Sequence, residues 1–328
     1  MERPLVAVVG GDTLLAKEIR ELLGESPLAP RVQLISAVAA GASTEPDREE
    51  DELVMVPLSP ESLAGARVVF LSGSPASSRR AHRLGASGGV RLIDLTSALE
   101  EQPEARLRAP SAEPRTPTPP ARIQVIAHPA AIALAMFLSQ VSRIRTIRRS
   151  IVHVFEPASE RGQRGLDELQ QQTVAVLSFK KLKTDVFDAQ LGFNLLARYG
   201  EEAHEPLEGI EQRVERHLAS LLSAWPDIPM PSLRLIQAPV FHGHSFSVWV
   251  EFDENPGADA LARALELAGI DVRAGDPPSN AGIAGQSGLG AGAIAADPNH
   301  PRAVWFWLVA DNLRLAAENA LAVAREVL

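Results

Sequence analysis

The feature that most constrains this chain is the alternation of short apolar runs with helical patterns in its first hundred residues. Leu5–Val9 is an apolar run followed by Gly10-Gly11-Asp12, after which Leu14, Leu15, Ile19, Leu22 and Leu23 recur at roughly helical spacing. Val32–Val38, Arg67–Ser72 and Val90–Leu95 are further largely apolar runs. Runs of this kind, separated by helical segments, predict a parallel sheet covered on both faces. The first unit is expected to be a Rossmann-like, doubly wound α/β domain. Two stretches interrupt it. Ala42 to Glu52 is polar and acidic and reads as an exposed loop. Glu101 to Arg122 carries six prolines and reads as an irregular surface segment, because proline offers no backbone donor.

A second unit has another character. Ile147–Phe155 is rich in β-branched residues, Gly165 to Leu177 and Pro206 to Leu222 are helical in pattern, and Leu233–Pro239, Phe246–Phe252 and Ala303–Val309 read as strands. Asn312 to Leu328 closes the chain as an alanine-rich helix. This order predicts an α+β domain with a mixed or antiparallel sheet. The expected division is 1–127 with the helix 311–328, and 128–310. Ala281 to Gly292 has the glycine content of a phosphate-cradling loop, yet it matches no P-loop and joins no clear strand to a helix. A flexible surface loop is the expected reading.

Composition closes several routes. The chain has no cysteine, so disulfides, thiolate metal ligands and thiol nucleophiles are excluded together. A net charge of −9 argues against broad nucleic-acid binding. The basic runs Arg143–Arg149 and Lys180–Lys183 sit amid apolar residues and read as solvated faces. No apolar run approaches the ~20 residues needed to span a bilayer. No signal peptide is read at Met1, and a cytoplasmic protein with neither membrane nor nucleic-acid partners is expected.

Several local patterns then converge. Val6-Ala7-Val8-Val9-Gly10 opens a cofactor-type strand. Leu92 to Ala98 is similar to "VIDNSSA", and Gly162 to Thr173 to "GKAGIDELEEQT". Phe187, Gln190, Phe193 and Asn194 fit "FPHQIAFN"; Ala238 to Ser245 fits "VPVFRGHS"; Val309 to Arg314 reads "VADNLR" letter for letter. In this order they resemble the aspartate-semialdehyde dehydrogenases and, more broadly, the semialdehyde dehydrogenase superfamily. The resemblance implies a Rossmann-like nucleotide domain, a dimerisation and catalytic-type domain, and an NADP-dependent reaction through a cysteine thioester.

The family's working parts map unevenly. Its "ANPNCST" falls on Ala127 to Ala133 and puts Ala131 at the nucleophile position. His244 matches the catalytic histidine and is left as a residual base. His128 lies beside the lost nucleophile. With no carboxylate pattern beside the two histidines, no metal is expected. The substrate-cleft positions are reversed in charge: an arginine falls on Glu100, a lysine on Glu211, an arginine on Gln237, and the glutamine of "YQAVSG" on Glu156. Unpaired acids there would repel a phosphate. The cofactor loop "GATGAVG" falls on Gly10 to Ala16, with Thr13 at the middle glycine and Asp12 either repelling phosphate or capping the helix. Gly10, Gly11, Thr13, Ser72, Gly73 and Asn312 are the residual cofactor-contact candidates. No cofactor is expected to be required, and NADP or NAD is expected to bind weakly. The resemblance is nearest to cysteine-less, Usg-like paralogues. It implies a homodimer that has lost the thiol reaction and serves a binding or regulatory role toward an unidentified small molecule or protein. The alternative is an NAD(P)-dependent oxidoreductase working without covalent catalysis.

Overall fold

The computed structural model describes residues 3–27, 29–37, 54–85, 89–114 and 121–328. The loop expected over Ala42 to Glu52 lies outside the described residues. Two compact units emerge, Met1–Ala127 with Ala316–Leu328, and His128–Leu315.

The first unit runs β1 (Leu5–Val9), α1 (Leu14–Gly24), β2 (Arg31–Ile35), α2 (Pro60–Leu63), β3 (Val68–Leu71), α3 (Pro75–Gly85), β4 (Arg91–Asp94), β5 (Ala105–Arg108) and β6 (Ile123–Ile126). All six strands pair in parallel, in the order β2-β1-β3-β4-β6-β5. Val6 to Val9 and Val68 to Leu71 are completely buried, as central strands covered on both faces require. Strand order reverses direction between β1 and β3, and crevices at such switch points are where doubly wound folds hold ligands.

One expectation fails here. Part of the proline-rich stretch is not irregular, since Ala105–Arg108 forms the edge strand β5 beside β6. An edge strand pairs on one side only, so it does not need the continuous apolar run that marks an interior strand. Its anchor is a buried charge. Arg108 donates to Glu113 at 3.0 Å and to both carboxylate oxygens of Glu326, at 2.7 and 2.9 Å.

Glycine at position 10 has a specific cause. Gly10 adopts φ +85°, and a Cβ there would lie 2.4 Å from the Gly73 Cα. The turns that end β1 and β3 therefore touch backbone to backbone. Gly10→Ala is expected to cost about 2–4 kcal/mol, combining left-handed strain with overpacking. Chemical denaturation of the variant checks this, and a loss below ~1 kcal/mol would mean that the two turns can separate freely.

The second unit contains α4 (Pro129–Val141), β7 (Ile147–Glu156), a short 3-10 turn (Ala158–Arg161), α5 (Gly162–Leu177), α6 (Leu207–Leu222), β8 (Ser232–Gln237), β9 (His244–Phe252), α7 (Ala258–Leu267), β10 (Asp271–Arg273), α8 (Asn280–Ile283), β11 (Gly290–Ala296) and β12 (Ala303–Ala310). Helix α9 (Asn312–Arg325) follows. The sheet order is β10-β11-β12-β9-β7-β8, parallel at its two ends and antiparallel between. The glycine-rich stretch is only partly a loop: Ala281 to Ile283 belong to α8, and Gly290 to Gly292 pair with both β10 and β12. A Cβ on Gly292 would come 2.8 Å from Pro278, so close packing fixes that glycine.

Helix α4 is almost entirely buried from Ala130 to Leu138. A helix apolar on every side has to sit inside the fold, and α4 packs against α6 and α7. Among the described residues no helix is long and apolar enough to cross a membrane.

Candidate functional site

Strand pairing in the second unit assembles a buried polar cluster. Phe155 on β7 faces Ser245 on β9, and Glu156 on β7 faces Gln237 on β8. One step further along β7, Glu156 lies between Gln237 and His244 at the strand ends. Neighbours in register point to the same face of a sheet, so the three side chains gather on one side. The turn after β7 adds Glu160 and Arg161, and the start of α4 adds His128.

Arg161 organises the charges. It donates to Glu156 Oε1 at 2.8 Å and to Glu205 Oε2 at 3.1 Å, and Arg213 on α6 also pairs with Glu205. Burial alone would raise the Glu156 carboxyl, but the Arg161 guanidinium outweighs it and holds Glu156 below the usual carboxylate range. Glu160 moves the other way, raised chiefly by burial and also by the Glu156 charge.

His244 Nε2 lies 4.0 Å from both Glu156 Oε2 and Glu160 Oε1. Neither of its ring nitrogens makes a hydrogen bond among the described residues. His128 lies beside it, with ring centroids 5.6 Å apart. His128 caps α4 by accepting the Ala130 N–H at Nδ1, and its own backbone N–H donates to His217 Nδ1 at 2.9 Å. Burial is the main reason that its imidazole is held well below its ordinary pKa and stays neutral.

Ala131 is fully buried on the first turn of α4. Its side chain is a methyl group, with no lone pair to attack a carbonyl.

The charge-reversed positions prove to be paired. Glu156 is neutralised by Arg161. Glu211 accepts the Leu235 N–H at 2.6 Å and lies 3.5 Å from the Arg234 guanidinium. Gln237 accepts from the Tyr199 hydroxyl at 2.5 Å and donates to the Glu156 and Ala238 carbonyls. The expectation of unpaired acids is corrected for Glu156 and Glu211: each carboxylate has its own cation, buried with it at Glu156 and solvent-exposed at Glu211. Glu100 lies in the first unit, just after the Asp94 turn. There Asp94 accepts from the Thr96 backbone and hydroxyl and from the Leu99 N–H.

The cofactor-type residues also have structural partners. Thr13, rather than Asp12, caps α1: Thr13 Oγ1 accepts the Ala16 N–H at 3.1 Å and donates to the Gly10 carbonyl at 2.9 Å. Asp12 is exposed. A side-chain oxygen caps from the cap position itself, where it reaches the N–H three residues on, and that position is 13 rather than 12. The buried Ser72 hydroxyl donates to the Val9 carbonyl at 3.1 Å, and a Cβ on Gly73 would meet Ser77 Oγ at 2.7 Å. A Cβ on Gly11 would meet Leu34 Cβ at 2.9 Å. Asn312 belongs to the second unit's cluster. Its Oδ1 accepts from the Gly243 N–H and the Ser159 hydroxyl, and its Nδ2 donates to Glu160 Oε1 at 2.9 Å.

Sequence reasoning missed Glu160, Arg161, Tyr199 and Arg213. A signal existed for the first: Glu160 stands on the final glycine of the same "YQAVSG" motif that marks Glu156.

With this geometry in view, comparison with known proteins is decisive. A family model described as the semialdehyde dehydrogenase dimerisation domain matches residues 141–315. The chain belongs to the semialdehyde dehydrogenase family. A USG-1 protein homolog of Pseudomonas aeruginosa is 30% identical over 325 residues, covering 97% of this chain and 95% of its own. The aspartate-semialdehyde dehydrogenase of Prochlorococcus marinus is 26% identical over 346 residues, covering 100% and 97%. Among solved structures, a probable aspartate-semialdehyde dehydrogenase from Pseudomonas aeruginosa matches with TM-score 0.82 at 29% identity, covering 99% of this chain and 98% of that one. The semialdehyde dehydrogenase fold, a doubly wound unit followed by a dimerisation domain, is therefore that of this chain. The motif helix α5 serves that fold directly. Glu168 accepts from the Val186 and Phe187 N–H groups, and Gln172 accepts from those of Leu191 and Gly192, which pins the loop after α5.

Proposed function

We propose that this chain is a semialdehyde dehydrogenase homologue that has lost covalent catalysis and acts by binding, as a homodimer through its second unit. The observation that carries this reading is Ala131, a buried methyl at the nucleophile position in a chain without cysteine. No thioester can form on it. The surroundings agree with a changed task. The base His244 faces carboxylates rather than a thiol, and the residue at the substrate-carboxylate arginine position, Gln237, is bonded to Tyr199 and to backbone.

One observation favours a second reading. Both ring nitrogens of His244 lack a hydrogen-bond partner among the described residues, so the ring could donate a proton in a direct hydride reduction. That chemistry needs a nicotinamide cofactor, and an aspartate semialdehyde dehydrogenase with NADP from Candida albicans shares the fold, with TM-score 0.67 at 15% identity and 99% and 98% coverage. The first-unit turn argues against strong binding here. A phosphate on a helix N-terminus needs free N–H groups, and Thr13 Oγ1 already occupies that of Ala16. Calorimetry of the purified protein with NADP and with NAD separates the two readings. Weak or absent heat is expected. A dissociation constant in the low micromolar range for either nucleotide would put the reductase reading first.

A further inference from the structure

We propose that His128, His244 and Glu156 form a site for a divalent transition-metal ion, with Glu160 as an additional carboxylate donor. The inference goes beyond the binding role above and does not depend on whether nucleotide binds.

It starts from unpartnered atoms. His128 Nε2, both ring nitrogens of His244 and Glu156 Oε2 are buried and have no hydrogen-bond partner among the described residues. Buried polar atoms are normally satisfied, and each failure costs stability. One atom from each of the three side chains can share a single partner; the two nitrogens of the His244 ring point apart, so an ion takes only one of them. One donor atom from each of His128, Glu156 and His244 lies within 4.8 Å of the other two. Glu160 Oε2 is 3.7 Å from His128 Nε2, and Glu160 Oε1 is 4.0 Å from His244 Nε2. Metal–ligand bonds of about 2.0–2.2 Å place neighbouring donors roughly 3.0–3.5 Å apart. Loading would draw these groups together by a few tenths of an ångström for the closest pair and by up to roughly 1.5–2 Å for donors at the 4.8 Å limit, a movement that side-chain rotations supply.

The outer contacts suit a ligand set. Arg161 holds Glu156 Oε1 and leaves Oε2 facing the histidines. Asn312 Nδ2 orients Glu160. Fixing the far side of a ligand in this way is the usual work of groups one layer out from a metal. Charge agrees: Arg161 pairs with Glu156 and Glu205, Arg213 pairs with Glu205, and Glu160 adds a further carboxyl beside the two histidines. Two imidazoles with carboxylates favour zinc, cobalt or iron(II) over magnesium or calcium. The absence of metal expected from the sequence rested on a histidine pair without an acidic partner, and the end of β7 and its turn bring two carboxylates to that pair.

The histidines are unequal. His128 Nδ1 accepts the Ala130 N–H at 3.2 Å, which places the proton of the neutral ring on Nε2. Ligation through Nε2 has to move that proton and give up the helix cap. His244 carries no such constraint, so His244 and Glu156 should supply most of the affinity.

Metal-stripped full-length protein titrated with cobalt(II), read by visible absorption and then challenged with zinc, tests the site. The expected result is one cobalt per chain, an intense low-coordinate spectrum, and displacement by stoichiometric zinc. His244→Asn and Glu156→Gln should each weaken cobalt binding on the order of 100-fold, and His128→Asn by less, with folding checked by circular dichroism. X-ray absorption of the cobalt-loaded native protein gives a readout that needs no variant, and should show imidazole scattering. A weak, fully hydrated cobalt spectrum would overturn the proposal. So would unchanged affinity in folded variants, or an absorption edge without imidazole, because exposed carboxylates would then hold the ion.

Discussion

Purified protein is expected to show no oxidation of aspartate semialdehyde and no reduction of aspartyl phosphate above a mock preparation. Removing a catalytic nucleophile typically costs on the order of 10⁴–10⁶-fold in rate, which places any remainder below contaminant level. The stronger form concerns repair. Ala131→Cys restores the thiol by sequence and should still not restore turnover. The new sulfur would enter the fully buried first turn of α4, while His244 Nε2 has the Glu156 and Glu160 carboxylates 4.0 Å away. Substrate would also lack its cations. Gln237 is committed to Tyr199 and to backbone, and Glu211 to the Leu235 amide. Steady-state assays of the native protein and the variant decide it. Turnover of the Ala131→Cys protein approaching that of an active dehydrogenase would show that one substitution separates the two, and that the charge-reversed positions do not matter.

The second large effect is on stability. Arg161→Met should destabilise the protein by about 3–5 kcal/mol, because it strands Glu156 as a buried charge. The carboxylate is completely buried and its oxygens have few alternatives. Glu205 keeps Arg213 and suffers less. Adding Glu156→Gln to Arg161→Met should recover most of the loss, since the uncompensated charge goes with its partner. Denaturant unfolding of the two single variants and the double variant checks this cycle. A loss below ~1 kcal/mol for Arg161→Met, or no recovery in the double variant, would mean that the pair is not coupled as its geometry states.

Much of the fold is legible in the sequence because burial on both faces leaves a one-dimensional trace. Val6 to Val9 and Val68 to Leu71 are apolar runs that can only be interior strands, and the helix patterns between them force the crossovers. Strand β5 leaves no such trace. Arg106 and Arg108 flank its one large apolar residue, Leu107, and Arg108 becomes legible only once Glu326, more than two hundred residues away, is brought to it. The site divides along the same line. His244 and Glu156 sit in local motifs that survive reading one stretch at a time. Arg161 matters through Glu156 on the preceding strand and Glu205 far along the chain, a relation that only register and folding create. The charge reversals were visible as letters, but their pairing was not. Taken singly Glu156 reads as an unpaired acid, yet its compensating arginine stands five residues on.

The contact between the turns at Gly10 and Gly73 has a bearing on how members of such families are recognised. Steric crowding alone would purge every larger side chain from these two places, whatever the turns now hold or fail to hold. A glycine fingerprint can thus outlive the nucleotide that first selected it, as a fossil kept legible by the fold. In paralogues of this kind the informative letters are those free to drift, such as the threonine at position 13, whose hydroxyl has turned inward to serve its own helix.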